Sequence, residues 1–139
     1  LRGFLDTLAG EADIQLLPFQ PCFDRDDYAH EITQHTLREY PSLACVYITS
    51  NGQRGVCRAI EDERRKGRVR VVAYDLNTPN RQLLQSGDLS FVLDQVAIEQ
   101  GRQPLLLLYR YLLSGKAPER ELLYTDILIR TKYNSGDGI

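Results

Sequence analysis

Polar side chains that could bind a small hydroxylated molecule follow four apolar runs of this 139-residue chain. An aromatic ring can cover the apolar face of a carbohydrate, while carboxylate, amide and hydroxyl groups can form hydrogen bonds with its hydroxyls. These stretches do not pair a nucleophile with a base, so the pattern favours binding over catalysis. The four stretches are Pro18-Phe19-Gln20, Thr49-Ser50-Asn51, Tyr74-Asp75 and Asp94-Gln95.

Extended and helical patterns alternate along the chain. Strands that alternate with helices predict an α/β fold, in which a doubly wound, mainly parallel sheet is flanked by helices. The predicted strands are Ile14–Leu17, Ala44–Ile48, Val69–Tyr74, Leu89–Leu93 and Leu122–Ile129. The predicted helices are Leu1–Leu8, Arg25–Tyr40, one that ends at Lys66 before Gly67, Asn80–Ser86 and Ile98–Leu113.

Four local features refine this pattern. We expect Asp24 to cap the helix that begins at Arg25, because an aspartate oxygen can accept a hydrogen bond from a free first-turn N–H. The uninterrupted apolar run Ala44–Ile48 indicates a strand that is buried on both faces. Pro104 predicts a kink or a late start of its helix, and Asn134–Ile139 is typical of a frayed tail.

The predicted sheet decides where the polar residues meet. In an open parallel sheet, ligands bind outside the carboxyl ends of the strands, where loops converge and helices begin. Asp75 and Gln95 each follow a predicted strand directly. We therefore expect them at the ligand-binding edge of the sheet.

Composition and charge exclude several classes of protein. Hydrophobic residues make up 42% and charged residues 26% of the chain, which is typical of a globular domain. A net charge of −2 gives no electrostatic reason for nucleic acid to bind this segment. No apolar run approaches the roughly 20 residues that cross a bilayer, so we expect no membrane span.

The cysteines and histidines do not form a metal or redox motif. Cys22, Cys45 and Cys57 are odd in number and lack the C-x-x-C spacing, which indicates free thiols in a reducing compartment. His30 and His35 are five residues apart, whereas a helical metal site has histidines four apart. We predict no metal and no cofactor.

Three stretches in a fixed order carry a family resemblance. Val71–Asp75, then Val92–Gln95, then Gln100-Gly101 resemble the type I periplasmic sugar-binding proteins and the effector domains of LacI-type transcriptional regulators. Further similar stretches are Arg2-Gly3-Phe4, Phe23-Asp24, Ala44–Asn51 leading into Gly55–Ile60, and Leu112–Lys116.

The resemblance implies a set of ligand-binding residues. In the family an aromatic-Asp pair follows one strand, a glutamine lies at the hinge, an asparagine follows an earlier strand and an aromatic residue follows the first. These roles fall on Tyr74 and Asp75, on Gln95, on Ser50 or Asn51, and on Phe19.

The resemblance also implies a division into lobes. The chain corresponds to the C-terminal half of such a domain and is expected to be truncated at its start. Residues 1–95 would form the C-terminal lobe, residues 96–128 a hinge crossing with a helix and a strand of the other lobe, and residues 129–139 a return segment. The apolar helix Leu105–Leu113 would then need another cover, and we expect a homodimer.

Three functions follow from these patterns. The preferred interpretation is the sugar- or effector-binding module of a cytoplasmic LacI-type regulator, which contacts DNA only through a separate N-terminal head. The alternative is a periplasmic sugar-binding component of a transport system. The third is a phosphoacceptor receiver domain, because the spacing of Asp75 and Pro79 is similar to the D-x-x-x-P turn after a phosphorylated aspartate. That chemistry needs an acidic pair that holds Mg²⁺ at the end of the first strand, and here that position reads Pro18-Phe19-Gln20. None of the three is a metabolic enzyme.

Overall fold

The computed structural model of the chain describes residues 2–136. They form two compact units that meet in sequence between Val69 and Arg70. The fold class is the predicted one, α/β with a mainly parallel sheet flanked by helices. The predicted division into lobes, with a boundary at Gln95, refers to the complete fold of the family and remains a prediction.

The first unit is built around two packed helices. Its elements are α1 (Arg2–Leu8), α2 (Asp26–Glu39), β1 (Cys45–Tyr47) and α3 (Gln53–Asp62). Gly55 permits the close approach of α2 and α3, because a Cβ atom at this position would lie 1.9 Å from the Asp26 main-chain oxygen. The Gly55 N–H instead donates to Asp26 Oδ1 at 3.2 Å. The buried residues on the two helices include Ala29, Leu37, Val56, Ala59 and Ile60.

The second unit contains three paired strands. Its elements are β2 (Arg70–Tyr74), α4 (Thr78–Gln85), β3 (Phe91–Asp94), α5 (Ala97–Ser114) and β4 (Leu128–Arg130). β2 pairs with β3 in parallel, and β3 pairs with β4 antiparallel. Val71, Val72, Ala73 and Val92 are buried, as expected for strands covered on both faces.

A half-buried ion pair fastens β4 to β3. Arg130 Nε donates to Asp94 Oδ2 at 3.1 Å, and both side chains are largely covered. The strand register places Arg130 opposite Val92 and Asp94 opposite Leu128. The pair therefore crosses the ladder diagonally at the carboxyl end of β3.

One strand prediction is wrong, and two are wrong in part. Ile14–Leu17 is not extended into a sheet, and Ile14 and Leu16 are exposed. Cys45 in β1 is exposed, so Ala44–Ile48 is not buried on both faces. Of the predicted strand Leu122–Ile129, only its last two residues enter β4, which runs antiparallel. An apolar run indicates that a segment tends to be buried, but it does not specify the strand with which that segment pairs.

Helix boundaries differ from the predicted ones at several places, and α4, for example, begins at Thr78 and not at Asn80. Asp24 does not cap α2, because the cap residue is Arg25 and Asp24 binds a distant main-chain N–H. α3 ends at Asp62 and not at Lys66, since Arg64 already adopts a left-handed backbone with φ of 53°. The end of α5 is as predicted, with Gly115 in the left-handed region.

Two further expectations concern the C-terminal part of the chain. α5 begins at Ala97 and continues through Pro104, so the helix does not start late, and the alternative, a kink at Pro104, stays a prediction. The predicted frayed tail is ordered at its start: the Asn134 side chain accepts from the Thr131 N–H, and Ser135 is buried. Residues 137–139 of that tail lie outside the described residues.

α5 differs from the other long helices, because none of its 18 residues is buried. Its apolar side chains are exposed along much of its length, as expected for the predicted apolar helix. Within the part of the chain that the structure describes, no helix combines the length and apolarity that a bilayer crossing requires. The exposed large side chains of α5 are Ile98, Leu105, Leu108, Tyr109, Tyr111, Leu112 and Leu113.

Candidate ligand-binding site

Asp75 follows β2 directly and has an uncommon backbone conformation. Its φ is 63°, in the left-handed region that aspartate tolerates better than most residues with a Cβ atom. The Asp75 N–H donates to the Leu93 main-chain oxygen at 2.9 Å, which extends the pairing of β2 with β3 by one residue. Left-handed residues other than glycine are enriched at ligand-binding positions. Asp75 is therefore fixed at the carboxyl end of the two parallel strands.

Gln95 follows β3 and meets Asp75. Its Nε2 donates to Asp75 Oδ1 at 3.0 Å. Asp75 is exposed and Gln95 is half-buried. The structure thus brings together the two residues that the sequence places at the ends of neighbouring strands, and Tyr74, half-buried, precedes them at the last position of β2.

Two residues that the sequence analysis did not include among the ligand contacts extend this pair. Gln100 Nε2 donates to Gln95 Oε1 at 3.3 Å and to Thr125 Oγ1 at 3.2 Å. Gln100 lies in the first turn of α5. Its signals in the sequence are the short spacing from Gln95 and its place in the Gln100-Gly101 stretch of the family resemblance. Thr125 belongs to a segment without regular structure, so its position depends entirely on tertiary contacts.

The first turn of α4 lies beside Asp75. Asn77 is the cap residue, and its side chain accepts from the Asn80 N–H at 2.9 Å. Asn80 Nδ2 donates to the main-chain oxygens of Tyr74 and Asp75, at 2.9 Å each. A cap residue followed by Pro79 in the first turn is a common helix start, and that signal could have placed the beginning of α4 correctly.

Ser50 and Asn51 belong to the first unit and contact Asp24. The Asn51 N–H donates to Asp24 Oδ1 at 3.0 Å, and Cys22 Sγ donates to the Asn51 oxygen at 3.3 Å. The Ser50 hydroxyl and then the Asn51 N–H lower the pKa of Asp24 below its ordinary value. This contact explains why Asp24 does not cap α2.

Phe23 is an aromatic residue that the sequence analysis did not include in the site. Phe23 and Asp24 both have left-handed backbones, with φ of 53° and 58°, and the Phe23 side chain is 76% exposed. A positive φ is unusual for a bulky residue. Phe19, the predicted aromatic residue, is also exposed, but its backbone does not adopt a left-handed conformation.

Among the described residues, histidine, cysteine and acidic side chains do not form a cluster that could hold a metal ion. The three cysteines do not form a disulfide with one another: Cys22 is half-buried, Cys45 is exposed and Cys57 is buried. Although Cys45 is exposed as a residue, partial desolvation of its sulfur raises the pKa of the thiol, which opposes formation of the reactive thiolate. The polar groups around Asp75 are neutral amides and one carboxylate, so they can bind a ligand by hydrogen bonds.

Most of the chain matches one protein family. The family model described as a periplasmic binding protein domain matches residues 1–117. The chain belongs to this family. In open α/β sheets ligands bind outside the carboxyl ends of the strands, and Asp75 and Gln95 meet at the ends of β2 and β3.

Solved structures of similar proteins share the fold. A sugar-binding protein of a sugar ABC transporter from Bacillus halodurans is 26% identical with a TM-score of 0.87, and the match covers 96% of this chain and 49% of that one. An ABC transporter solute binding protein from Agrobacterium vitis, bound with α-D-tagatopyranose, is 23% identical with a TM-score of 0.85. That match covers 98% of this chain and 45% of that protein.

A third similar structure also holds a monosaccharide. It is an ABC transporter periplasmic solute binding protein from Actinobacillus succinogenes 130z with bound D-allose, 21% identical with a TM-score of 0.81, covering 96% and 46% of the two chains. The present chain thus spans about half the length of these proteins. No curated protein is significantly similar to it in sequence.

The comparisons bear on the two binding interpretations. The periplasmic-binding-protein part of the resemblance is confirmed by the family match. The solved structure from Bacillus halodurans, which is 26% identical, is described as the sugar-binding protein of a sugar ABC transporter. It favours the interpretation that the sequence analysis gave as the alternative.

Proposed function

We propose that this chain is part of a sugar-binding receptor of a transport system, and that Asp75 and Gln95 bind hydroxyl groups of the sugar. The observation that carries the proposal is the hydrogen bond between Gln95 Nε2 and Asp75 Oδ1 at the ends of β2 and β3. The same pair makes a small polar ligand a better candidate than a nucleic acid or a metal ion.

The pair has capacity left for a ligand. A carboxylate can accept about four hydrogen bonds, and Gln95 uses one position on Asp75. Two neighbouring sugar hydroxyls could therefore donate to the same carboxylate. Hydrogen bonds that involve a charged group are stronger than those between neutral groups, so Asp75 is the principal anchor.

Phe19, Tyr74, Ser50 and Asn51 stay predicted ligand contacts, and the family resemblance is what supports them. Phe19→Ala should weaken sugar binding, because an aromatic ring can cover the apolar face of a carbohydrate. Unchanged affinity, with the protein folded, would remove Phe19 from the proposal.

The direct test is calorimetric titration of the complete protein that contains this sequence, called the full chain below, with D-tagatose and D-allose, followed by the other common aldohexoses and ketohexoses. We expect saturable binding of at least one monosaccharide, with a stoichiometry of one per chain. A complete set of titrations without heat of binding, with a folded protein, would contradict the proposal.

A LacI-type regulator is the second candidate, and the odd number of cysteines, which lack C-x-x-C spacing, is the observation that favours it. The transport interpretation predicts a protein outside the cytoplasm, and the regulator interpretation a cytoplasmic protein that contacts DNA through another domain. Fractionation of cells, with detection of this chain by antibody, separates the two. Recovery with the cytoplasmic fraction would overturn the transport assignment without affecting the sugar site.

A further inference from the structure

The Asn80 side chain is the most deeply buried polar group near the candidate site. Its residue is 1% exposed, although it lies only five positions after the exposed Asp75. The position of Asn80 is set by the start of α4, where its N–H is bound by the Asn77 side chain. A buried amide is stable only when its donors are satisfied, so its partners are informative.

Those partners are two consecutive main-chain oxygens. Asn80 Nδ2 donates to Tyr74 O and to Asp75 O, both at 2.9 Å. In an extended strand, consecutive carbonyl groups point in opposite directions, so one nitrogen atom cannot reach both. The backbone torsions of Asp75 set the relative direction of these two carbonyls, and its left-handed φ of 63° turns them toward the same nitrogen.

The two hydrogen bonds therefore stabilise a backbone conformation that is unfavourable for residues other than glycine, although aspartate tolerates it better than most. Such a conformation persists only where its surroundings fix it. The Asn77 N–H adds a third bond, to Asp75 O at 2.9 Å. The Asp75 backbone is thus held from α4, while its carboxylate is held from β3 by Gln95.

We infer that Asn80 is a positioning residue for ligand binding: its buried amide locks Asp75 in the left-handed conformation that presents the carboxylate to Gln95 and to ligand. The inference about binding rests on the proposed function, but the lock itself does not. Asn80 contacts no ligand in this scheme and acts only through Asp75.

Two variants test the lock by different routes. Asn80→Asp keeps nearly the same volume but replaces the donor with oxygens that would face two carbonyl oxygens. Asn80→Ala removes the amide altogether and covers the case in which the buried aspartate prevents folding. Leu84→Val is the control, because it loosens the packing of the same helix without removing a hydrogen bond.

Crystal structures of the full-chain variants give the first readout, the φ of Asp75. We expect Asp75 to leave the left-handed region in Asn80→Ala or Asn80→Asp and to stay there in Leu84→Val. A φ that stays positive in each Asn80 variant that folds would overturn the inference, whatever happens to binding.

Calorimetry with D-tagatose or D-allose, whichever binds the unaltered chain, gives the second readout. We expect each Asn80 variant that folds to bind about tenfold more weakly or worse, and Leu84→Val to bind within about twofold of the unaltered chain. Equal weakening by Leu84→Val would overturn the inference, because it would indicate a general loss of stability.

The two readouts separate the two proposals. A shifted φ with unchanged sugar affinity would show that Asp75 is not the ligand contact, and would overturn the proposed site and the binding role of Asn80. If the unaltered chain binds none of the sugars, the proposed function fails, and the crystal structures still decide whether Asn80 locks Asp75.

Discussion

Helices α4 and α5 belong to the same unit, yet they are held in opposite ways. α4 has eight residues and buries Leu84 completely, together with Asn80. α5 has 18 residues and buries none. Each contacts the candidate site through one amide, Asn80 for α4 and Gln100 for α5.

The difference indicates how the site is built. On the α4 side, the buried amide fixes main-chain atoms of Asp75, and packing fixes the helix that carries the amide. On the α5 side, side-chain amides alone connect Gln100 with Gln95, and the helix surface is exposed. We therefore expect the α4 side to be the rigid part of the site and the α5 side to be adjustable.

The largest expected effect compares a leucine on each helix. Leu84→Ala should lower the free energy of unfolding by about 2–5 kcal/mol, since it leaves a cavity at a fully buried position. Leu112→Ala, at a position that is 72% exposed, should change it by no more than about 0.5 kcal/mol. Urea titration followed by circular dichroism measures both.

The leucine comparison can fail in an informative way. A cost for Leu112→Ala as large as that for Leu84→Ala would mean that α5 is covered in solution. The homodimer that we expect from its apolar surface could provide such a cover. Sedimentation of both variants and the unaltered chain would then show whether the oligomeric state changes.

The next effect compares two acid-to-amide changes. Asp94→Asn leaves the half-buried Arg130 without its carboxylate and should cost about 1–3 kcal/mol of unfolding free energy. Glu99→Gln removes the partner of Arg102 on the exposed surface of α5 and should lower the unfolding free energy far less, because solvent-exposed ion pairs contribute little. Equal losses in the two variants would refute the contrast between the two regions.

A smaller effect is expected from the amide that joins α5 to the site. Gln100→Ala removes the hydrogen bonds to Gln95 and Thr125, and should weaken sugar binding about three- to tenfold. Gln103→Ala is the matched control, because that amide donates to Glu99 on the same helix. If both variants bind sugar as the unaltered chain does, α5 does not contribute to the site.

The smallest effect is a titration on α5. The Arg102 guanidinium, and then the Gln103 amide, hold the pKa of Glu99 below its ordinary value. The stabilisation from this group is therefore complete above its unfolded-state pKa and is lost as the pH falls through the folded-state pKa. NMR titration of the Glu99 carboxyl carbon should show the lowered pKa, and Arg102→Gln should return it toward the ordinary range.

Part of this architecture could be predicted from sequence, because local patterns decide it. The apolar run Val69–Tyr74 specifies a buried strand, and a parallel sheet brings the residues after its strands to one edge. The meeting of Asp75 with Gln95 follows from these two facts. The end of α5 at Gly115 follows from the backbone freedom of glycine.

The errors concern residues whose roles depend on distant partners. Asp24 has the residue type of a cap but binds Asn51, 27 positions away. Leu122 and Leu123 fit the apolar pattern of a strand, yet no strand pairs with them among the described residues. Asn80 looks like an ordinary helical residue, and only the fold places its amide under Asp75.

The central claim is that Asp75 and Gln95 form one ligand-binding pair, and calorimetry of the full chain tests it most directly. For a monosaccharide that binds the unaltered chain, Asp75→Ala should lose about 1.5–3 kcal/mol of binding free energy and Gln95→Ala about 0.5–1.5 kcal/mol. Asp88→Ala is the control, because Asp88 precedes β3 at its other end. Unchanged affinity in both site variants, with the protein folded, would contradict the account.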